Sequence, residues 1–139
     1  MRILNAHSDK PNSEGQLKLS EQQLTALRAV SRGQFVFLTG SAGTGKSYLL
    51  DFVVKILKEL HGPGSVFVTA STGIAACHLN GMTVHSFSGA PIWATSKSQL
   101  LEAVLKKKKT VKRWKKAKAL VIDEISMERC HENIECPFR

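Results

Sequence analysis

The stretch Phe-Val-Phe-Leu-Thr-Gly-Ser-Ala-Gly-Thr-Gly-Lys-Ser-Tyr-Leu-Leu, from Phe35 to Leu50, decides the fold of this chain. A short apolar run leads into the pattern G-x-x-x-x-G-K-S, and apolar residues at helical spacing follow at once. A strand, a glycine-rich loop and a helix in this order are the context in which the pattern forms a P-loop. Its glycines allow backbone conformations that other residues avoid, so successive N–H groups can turn towards a phosphate.

The residue types of this loop indicate a nucleoside triphosphate bound with a metal. The helix that starts near Lys46 adds positive charge at its N-terminus, the Lys46 ammonium can reach the β- and γ-phosphates, and the Ser47 hydroxyl can bind Mg²⁺. An ordinary glycine-rich turn before a helix is the structural alternative. The predicted nucleotide-binding residues of the loop are Gly40, Ser41, Ala42, Gly43, Thr44, Gly45, Lys46 and Ser47.

Two further apolar runs, Ser65 to Thr69 and Ala119 to Asp123, indicate the fold class. Strands that are apolar at every position have both faces covered, as in parallel sheets flanked by helices. We therefore predict an α/β fold of the P-loop NTPase kind. In such sheets the carboxyl ends of the strands share one edge with the P-loop.

Asp123 and Glu124 come directly after the last of these runs and form a predicted Walker B motif. We expect Asp123 to hold Mg²⁺ through its water shell, and Glu124 to orient and deprotonate the water that attacks the γ-phosphate. The structural alternative is a pair of acidic residues at the start of a helix.

The basic residues are concentrated in one segment. The chain of 139 residues has 20 Lys and Arg against 11 Asp and Glu. Between Glu102 and Asp123 lie nine basic residues and no acidic one, so the remaining chain carries 11 of each sign. Such a patch suits a polyanion such as nucleic acid, although a solvated lysine-rich helix face is the alternative.

The cysteines and the apolar runs indicate the compartment. Three cysteines, Cys77, Cys130 and Cys136, are too few and too irregular for a disulfide framework, which favours a reducing environment. Cys130, His131 and Cys136 fit no familiar zinc spacing. No run has transmembrane length and the first residues carry no targeting signature, so we expect an intracellular protein with no membrane association.

The rest of the chain is read from local signals. Residues 1–18 are polar and are predicted to be a flexible lead-in. Ser20 followed by Gln23 is a capping box that begins a helix. A small-residue helix is predicted over residues 72–79 and a basic helix from about Gln99 to Lys116.

Five segments together resemble the superfamily-one 5′-to-3′ DNA helicases of the petite integration frequency (PIF) type, relatives of the RecD helicases. They are Leu19-Ser-Glu-Gln-Gln23, Gly40 to Ser47, Thr69-Ala-Ser-Thr-Gly-Ile-Ala-Ala-Cys77, Thr83-Val-His-Ser-Phe-Ser-Gly89 and Val121-Ile-Asp-Glu-Ile-Ser-Met127. The resemblance implies a RecA-like domain, ATP and Mg²⁺ as cofactors, and single-stranded DNA as partner. It also implies a nuclear or mitochondrial monomer with roles in DNA repair, recombination and telomere maintenance.

The resemblance implies a role for each matched residue. Lys46, Asp123 and Glu124 match the catalytic residues, Ser47 and Asp123 match the metal-binding pair, and Gln23 matches the adenine-reading glutamine. A capping-box role for Gln23 is compatible with that reading. The residues matched to DNA contacts are Thr69, Ser71, Thr72, Gly73, Thr83, His85, Ser86 and Phe87.

Structural alternatives accompany the DNA contacts. The hydroxyl residues of the first matched segment could serve only as strand ends and helix caps, and His85 could be a packed side chain. Trp114 could stack on a base, although a tryptophan in an amphipathic helix usually anchors that helix, which we favour.

The family pattern ends at Met127. We therefore expect a truncated first RecA-like motor domain over residues 19–127 and a divergent tail over 128–139. A second RecA-like domain, a γ-phosphate sensor and arginine fingers are not found in these residues. Two functions stay open: an ATP-dependent DNA helicase motor domain, or a nucleotide- and nucleic-acid-binding module without unwinding activity of its own.

Overall fold

The computed structural model describes residues 2–6, 19–91 and 96–125. The chain divides into two compact units, residues 1–63 and 64–139. The division falls at the Gly62-Pro63-Gly64 turn, where Gly62, with a φ of +83°, is the C-cap of the helix Lys46–His61. The predicted single domain over residues 19–127 stays a prediction.

The first unit holds two parallel strands and two helices. These are β1 (Arg2–Ala6), α1 (Glu21–Ser31), β2 (Val36–Gly40) and α2 (Lys46–His61). In the parallel pair of β1 and β2, Ile3 lies opposite Phe37. Helix α1 packs against α2 and against both strands. The buried apolar residues of this unit are Ala26, Ala29, Val30, Leu49, Leu50 and Val53.

The strand β1 corrects one prediction. Residues 1–18 were expected to form a flexible lead-in throughout, whereas Arg2–Ala6 pairs with β2 along its whole length. Polar composition later in the segment hid the short run Ile3-Leu4, which takes its strand conformation from the partner strand. Residues 7–18 lie outside the described ranges.

The second unit is built on a parallel sheet of three strands in the order β4-β3-β5. Its elements are β3 (Val66–Ala70), α3 (Gly73–His78), β4 (Met82–Thr83), α4 (Val84–Ser88), α5 (Lys97–Leu105), α6 (Lys108–Lys116) and β5 (Ala119–Asp123). Val66 pairs with Ala119 and Ala70 with Asp123. Helices α3 and α4 pack on β3, so the predicted α/β fold with a parallel sheet flanked by helices is confirmed.

The predicted basic helix is two helices. Helix α5 ends at Leu105 and α6 begins at Lys108, with Lys107 at a ψ of 88° between them. No Gly or Pro marks this break. At this break the Lys107 ammonium donates to the carbonyl of Gly89 at 2.8 Å, just past the end of α4.

Candidate nucleotide and nucleic-acid sites

The P-loop joins β2 to α2 with two glycines in the left-handed region. Gly43 has a φ of +78° and Gly45 a φ of +76°. Gly45 is also the N-cap of α2, and no side chain caps this end of the helix. The first N–H groups of a 16-residue helix therefore stand ready for an anion, as the sequence predicts.

Lys46 lies folded over its own loop. Its ammonium donates to the carbonyl oxygens of Gly40 at 2.8 Å and Ser41 at 2.7 Å. The Thr44 hydroxyl donates to the same Ser41 carbonyl at 2.9 Å, which closes the loop from the other side. Ser47 is exposed on the first turn of α2. The ammonium and the hydroxyl thus lie at one end of one helix.

Gln23 connects α1 to this loop. Its carbonyl oxygen accepts from the backbone N–H of Ser20 at 2.9 Å, while its own N–H donates to the Ser20 hydroxyl at 3.2 Å. The predicted capping box is therefore confirmed. The side-chain amide nitrogen also donates to the carbonyl of Thr44 at 3.5 Å. Adenine recognition by Gln23 stays a prediction.

The acidic pair ends β5 in the second unit. Asp123 is the last residue of the strand, and its Oδ1 accepts from the backbone N–H of Glu124 at 2.9 Å. Glu124 is exposed and has a φ of +54°, in the left-handed region that non-glycine residues seldom adopt. That Asp123 and Glu124 act on the same nucleotide as the P-loop stays a prediction.

Two of the residues predicted to contact DNA are buried. Thr69 is 0% exposed, and its hydroxyl donates to the carbonyl of Val121 at 2.8 Å between β3 and β5. Phe87 is 1% exposed, with ring centroids 5.0 Å from Phe67 and 4.8 Å from Trp114. In this structure Thr69 ties two strands together and Phe87 fills the core, and contact of either residue with DNA stays a prediction.

The remaining residues of the first DNA-matched segment lie between β3 and α3. Thr72 is the N-cap of α3, and its hydroxyl oxygen accepts from the N–H of Ala75 at 3.2 Å. Gly73 begins the helix and is exposed. Among the described residues, the hydroxyl oxygen of Ser71 is buried without a hydrogen-bond partner. The expected cap chemistry is thus present, and contact with DNA stays a prediction.

The second DNA-matched segment forms α4. Thr83 is its N-cap and accepts from the N–H of Ser86 at 3.1 Å. His85 and Ser86 are exposed on this helix. The structure thus separates the segment into two exposed residues, a cap, and the buried Phe87.

Two residues of the basic segment, Arg113 and the exposed Trp114, hydrogen-bond to backbone carbonyls of α4. Arg113 Nη1 donates to the carbonyl oxygen of Phe87 at 2.9 Å, and Trp114 Nε1 donates to that of Ser88 at 3.3 Å. Trp114 therefore anchors α6 to α4, the role that the sequence analysis favours. The contact made by Arg113 was missed, because its partner lies 26 residues away and no local pattern indicates it.

The described residues hold neither a cluster of metal ligands nor a helix that could cross a membrane. In residues 2–6, 19–91 and 96–125, no group of three or more His, Cys, Asp or Glu could hold a metal ion. The segment with Cys130, His131 and Cys136 lies outside these ranges. Among the described helices, none has the length and apolar character needed to span a bilayer. Cys77 is an exposed free thiol.

Comparison with known proteins identifies relatives of the chain. A family model described as PIF1-like helicase matches residues 18–139, a range that includes the tail predicted to diverge. The ATP-dependent DNA helicase PIF1 of Homo sapiens is 48% identical over 110 residues, which are 79% of this chain and 16% of that protein. The protein of the same name from Saccharomyces cerevisiae is 45% identical over 109 residues, 78% of this chain and 13% of that protein.

A solved structure is also similar. The crystal structure of Pif1 helicase from Candida albicans matches with a TM-score of 0.74 and 44% identity, over 81% of this chain and 25% of that chain. This similarity confirms the predicted RecA-like fold. The chain spans less than a fifth of the length of the two curated relatives described above.

Proposed function

Because the chain belongs to the PIF1-like helicase family, we propose that it forms the nucleotide-binding part of the motor of an ATP-dependent DNA helicase. This motor couples ATP hydrolysis to 5′-to-3′ movement along single-stranded DNA. The observation that carries the proposal is the P-loop, in which the Lys46 ammonium lies over the loop carbonyls at the uncapped N-terminus of α2. ATP is the proposed nucleotide because the relatives are named ATP-dependent helicases.

The residues present fit a triphosphate with Mg²⁺. The uncapped N–H groups of α2 donate to phosphate oxygens, and Lys46 exchanges its loop carbonyls for the β- and γ-phosphates. The Ser47 hydroxyl and the Asp123 carboxylate are the hard oxygen ligands that Mg²⁺ prefers. When bound, Mg²⁺ neutralises charge on the phosphates. Glu124 takes the proton of the attacking water, and Gln23 reads the adenine edge.

The single strand binds at α3, at α4 and at the residues just before these two helices in the second unit. Thr72 and Thr83 accept cap hydrogen bonds through oxygen, which leaves each hydroxyl proton able to donate to a phosphate. Ser86 adds an exposed hydroxyl and His85 an exposed imidazole. Ser71 and Gly73 complete the proposed set. Contacts of this kind position a strand without reading its sequence.

The family also supports a proposal for the compartment, the oligomeric state and the processes in which the chain acts. We infer a chain that works inside the cell, in the nucleus or the mitochondrion, as a monomer in DNA repair, recombination and telomere maintenance. Residues 19–127 form the proposed motor domain, before the tail over 128–139. A second candidate is a nucleotide- and strand-binding module that does not unwind DNA by itself.

The nucleotide site is tested with a fluorescent ATP analogue. We expect Mg²⁺-dependent binding that weakens by about tenfold or more in Lys46→Ala, since a hydrogen bond to a charged group contributes about 1.5–3 kcal/mol. Lys55→Ala removes an equal charge from an exposed position of the same helix and should bind as wild type. Retained affinity in Lys46→Ala would place the nucleotide elsewhere.

A gel assay separates the two candidates. A 5′-tailed duplex is incubated with the chain, ATP and Mg²⁺. The module predicts binding of the tail with no strand separation. Robust, ATP-dependent separation by the 139-residue chain would exclude it.

A further inference from the structure

The end of α4 is held by side chains of another helix. Arg113 Nη1 donates to the carbonyl oxygens of both Ser86 and Phe87, the latter at 2.9 Å. Its guanidinium carbon also lies 5.9 Å from the centre of the Phe87 ring. One arginine therefore satisfies two carbonyls that a helix end would otherwise leave unpaired, and places its charge where the helix dipole favours a cation.

Two neighbouring donors complete this arrangement. Trp114 Nε1 donates to the carbonyl of Ser88 at 3.3 Å, and Lys107 Nζ donates to that of Gly89 at 2.8 Å. Four consecutive carbonyls of α4 and its C-cap thus accept from residues of the α6 segment. These hydrogen bonds hold α4 at one position and one rotation relative to α6.

Helix α4 depends on this support. It has five residues, and an isolated helix of that length does not persist in water. Its Phe87 ring packs between Phe67 and Trp114, so the inner face is fixed from both sides. His85 and Ser86, two of the proposed strand-binding residues, occupy the exposed part of the same short helix.

We propose that Arg113 and Trp114 are positioning residues, which hold α4 in the geometry in which its exposed residues meet a single strand and which do not contact the strand themselves. The inference rests on the proposed function. It divides the basic segment by role: Arg113 acts on protein carbonyls, whereas exposed lysines of the same helix, such as Lys112 and Lys115, face solvent and act on phosphates.

The salt dependence of DNA binding distinguishes these roles. The affinity of the full chain for a labelled oligothymidylate is measured by fluorescence anisotropy across a series of salt concentrations. We expect Arg113→Gln to raise Kd about tenfold at every concentration with an unchanged slope, since α4 reaches its binding geometry only part of the time. The matched control Lys112→Gln should weaken binding less and reduce the slope by about 0.7.

Trp114 provides a second readout that does not depend on Arg113. In a Trp93→Phe background, Trp114 is the remaining tryptophan of the sequence. Trp114 is 46% exposed, so a base stacked on it would quench its emission. Because Phe87 and the Ser88 carbonyl hold its indole against α4, we expect the emission to stay unchanged when the oligonucleotide is added. Trp114→Phe keeps an aromatic ring and loses the N–H donor, so it should also raise Kd without changing the slope. This variant carries the test if Arg113→Gln does not fold by circular dichroism.

Three kinds of result would contradict the inference. A slope reduced by about 0.7 in Arg113→Gln, or quenching of Trp114 by the oligonucleotide, would show direct contact and overturn the inference. Unchanged affinity in both Arg113→Gln and Trp114→Phe would overturn it while leaving the proposed function intact. A wild-type chain that fails to bind the oligonucleotide would contradict the proposed function and the inference with it.

Discussion

The Gln23 side-chain amide donates to the carbonyl oxygen of Thr44 at 3.5 Å, so the first turn of α1 is joined to the P-loop. The same side chain closes the capping box with Ser20. A Cβ added to Gly45 would lie 3.2 Å from the Gln23 nitrogen, which shows how closely the amide approaches the loop backbone. One residue thus serves the stability of a helix and the shape of a nucleotide-binding loop.

The two roles of Gln23 can be separated by substitution. Gln23→Ala removes the side-chain half of the capping box, while the Ser20 hydroxyl still accepts from the backbone N–H of residue 23, and it should lower the free energy of unfolding by about 0.5–1 kcal/mol in denaturant titrations. Gln23→Glu keeps an acceptor for the Ser20 N–H, so it should retain most of that stability. It lacks the amide donor, and we expect it to lose preference for ATP over GTP. Equal preference in wild type and Gln23→Glu would argue against adenine recognition.

The hydrogen bond by which Thr69 joins β3 to β5 can be tested by substitution. Thr69→Val has nearly the same shape but leaves the buried carbonyl of Val121 without its donor, at a cost of about 1–3 kcal/mol in the free energy of unfolding. Thr69→Ser keeps the hydroxyl and serves as the control. Because the side chain is buried, the affinity of the folded Val variant for single-stranded DNA should match wild type. Selective loss of that affinity at unchanged stability would restore Thr69 as a DNA contact.

Gly89 is required at the end of α4 for two reasons. Its φ is +70°, and an added Cβ would lie 2.7 Å from two side-chain atoms of Thr110. We expect Gly89→Ala to lower the free energy of unfolding by about 2 kcal/mol or more. Gly33 has a φ of +71° with nothing within 4 Å of an added Cβ, so Gly33→Ala reports the backbone cost alone. Equal losses in the two variants would mean that Thr110 moves aside freely.

The left-handed backbone of Glu124 predicts an unusual response to glycine. Since glycine adopts a positive φ without steric cost, Glu124→Gly should be more stable than Glu124→Ala by about 1 kcal/mol in the same titrations. The order is reversed at ordinary positions, where glycine destabilises. Both variants lose the carboxylate, so their difference isolates the backbone. An Ala variant at least as stable as the Gly variant would contradict strain at this position.

Local signals sufficed for the P-loop, the capping box and β5. Each of these depends on residues close together in the chain: the glycines and Lys46 for the loop, Ser20 and Gln23 for the cap, and a fully apolar run for the strand. The observed bounds of β5, Ala119–Asp123, are those of the run itself. Physical chemistry within a few residues decides these elements, so a sequence pattern is enough.

Other features depend on distant partners. Phe87 lies two residues after the exposed His85, in a segment matched to DNA contacts. Its ring is nevertheless buried, with Phe67 and Trp114 packed against it. No helix-breaking residue marks the break between α5 and α6, at which Lys107 contacts Gly89, 18 residues away. Tertiary contacts of this range override local pattern, and the assignment of Phe87 to DNA came from the family resemblance of its segment, which carries no information on these contacts.

The hydrogen bonds of Lys46 to Gly40 and Ser41 have a consequence for binding kinetics. An ammonium already held near the loop has little rotamer freedom left to lose when a ligand arrives, so part of the ordering cost is met during folding. Nucleotides that differ in their phosphate chains should then associate at similar rates and differ in residence time.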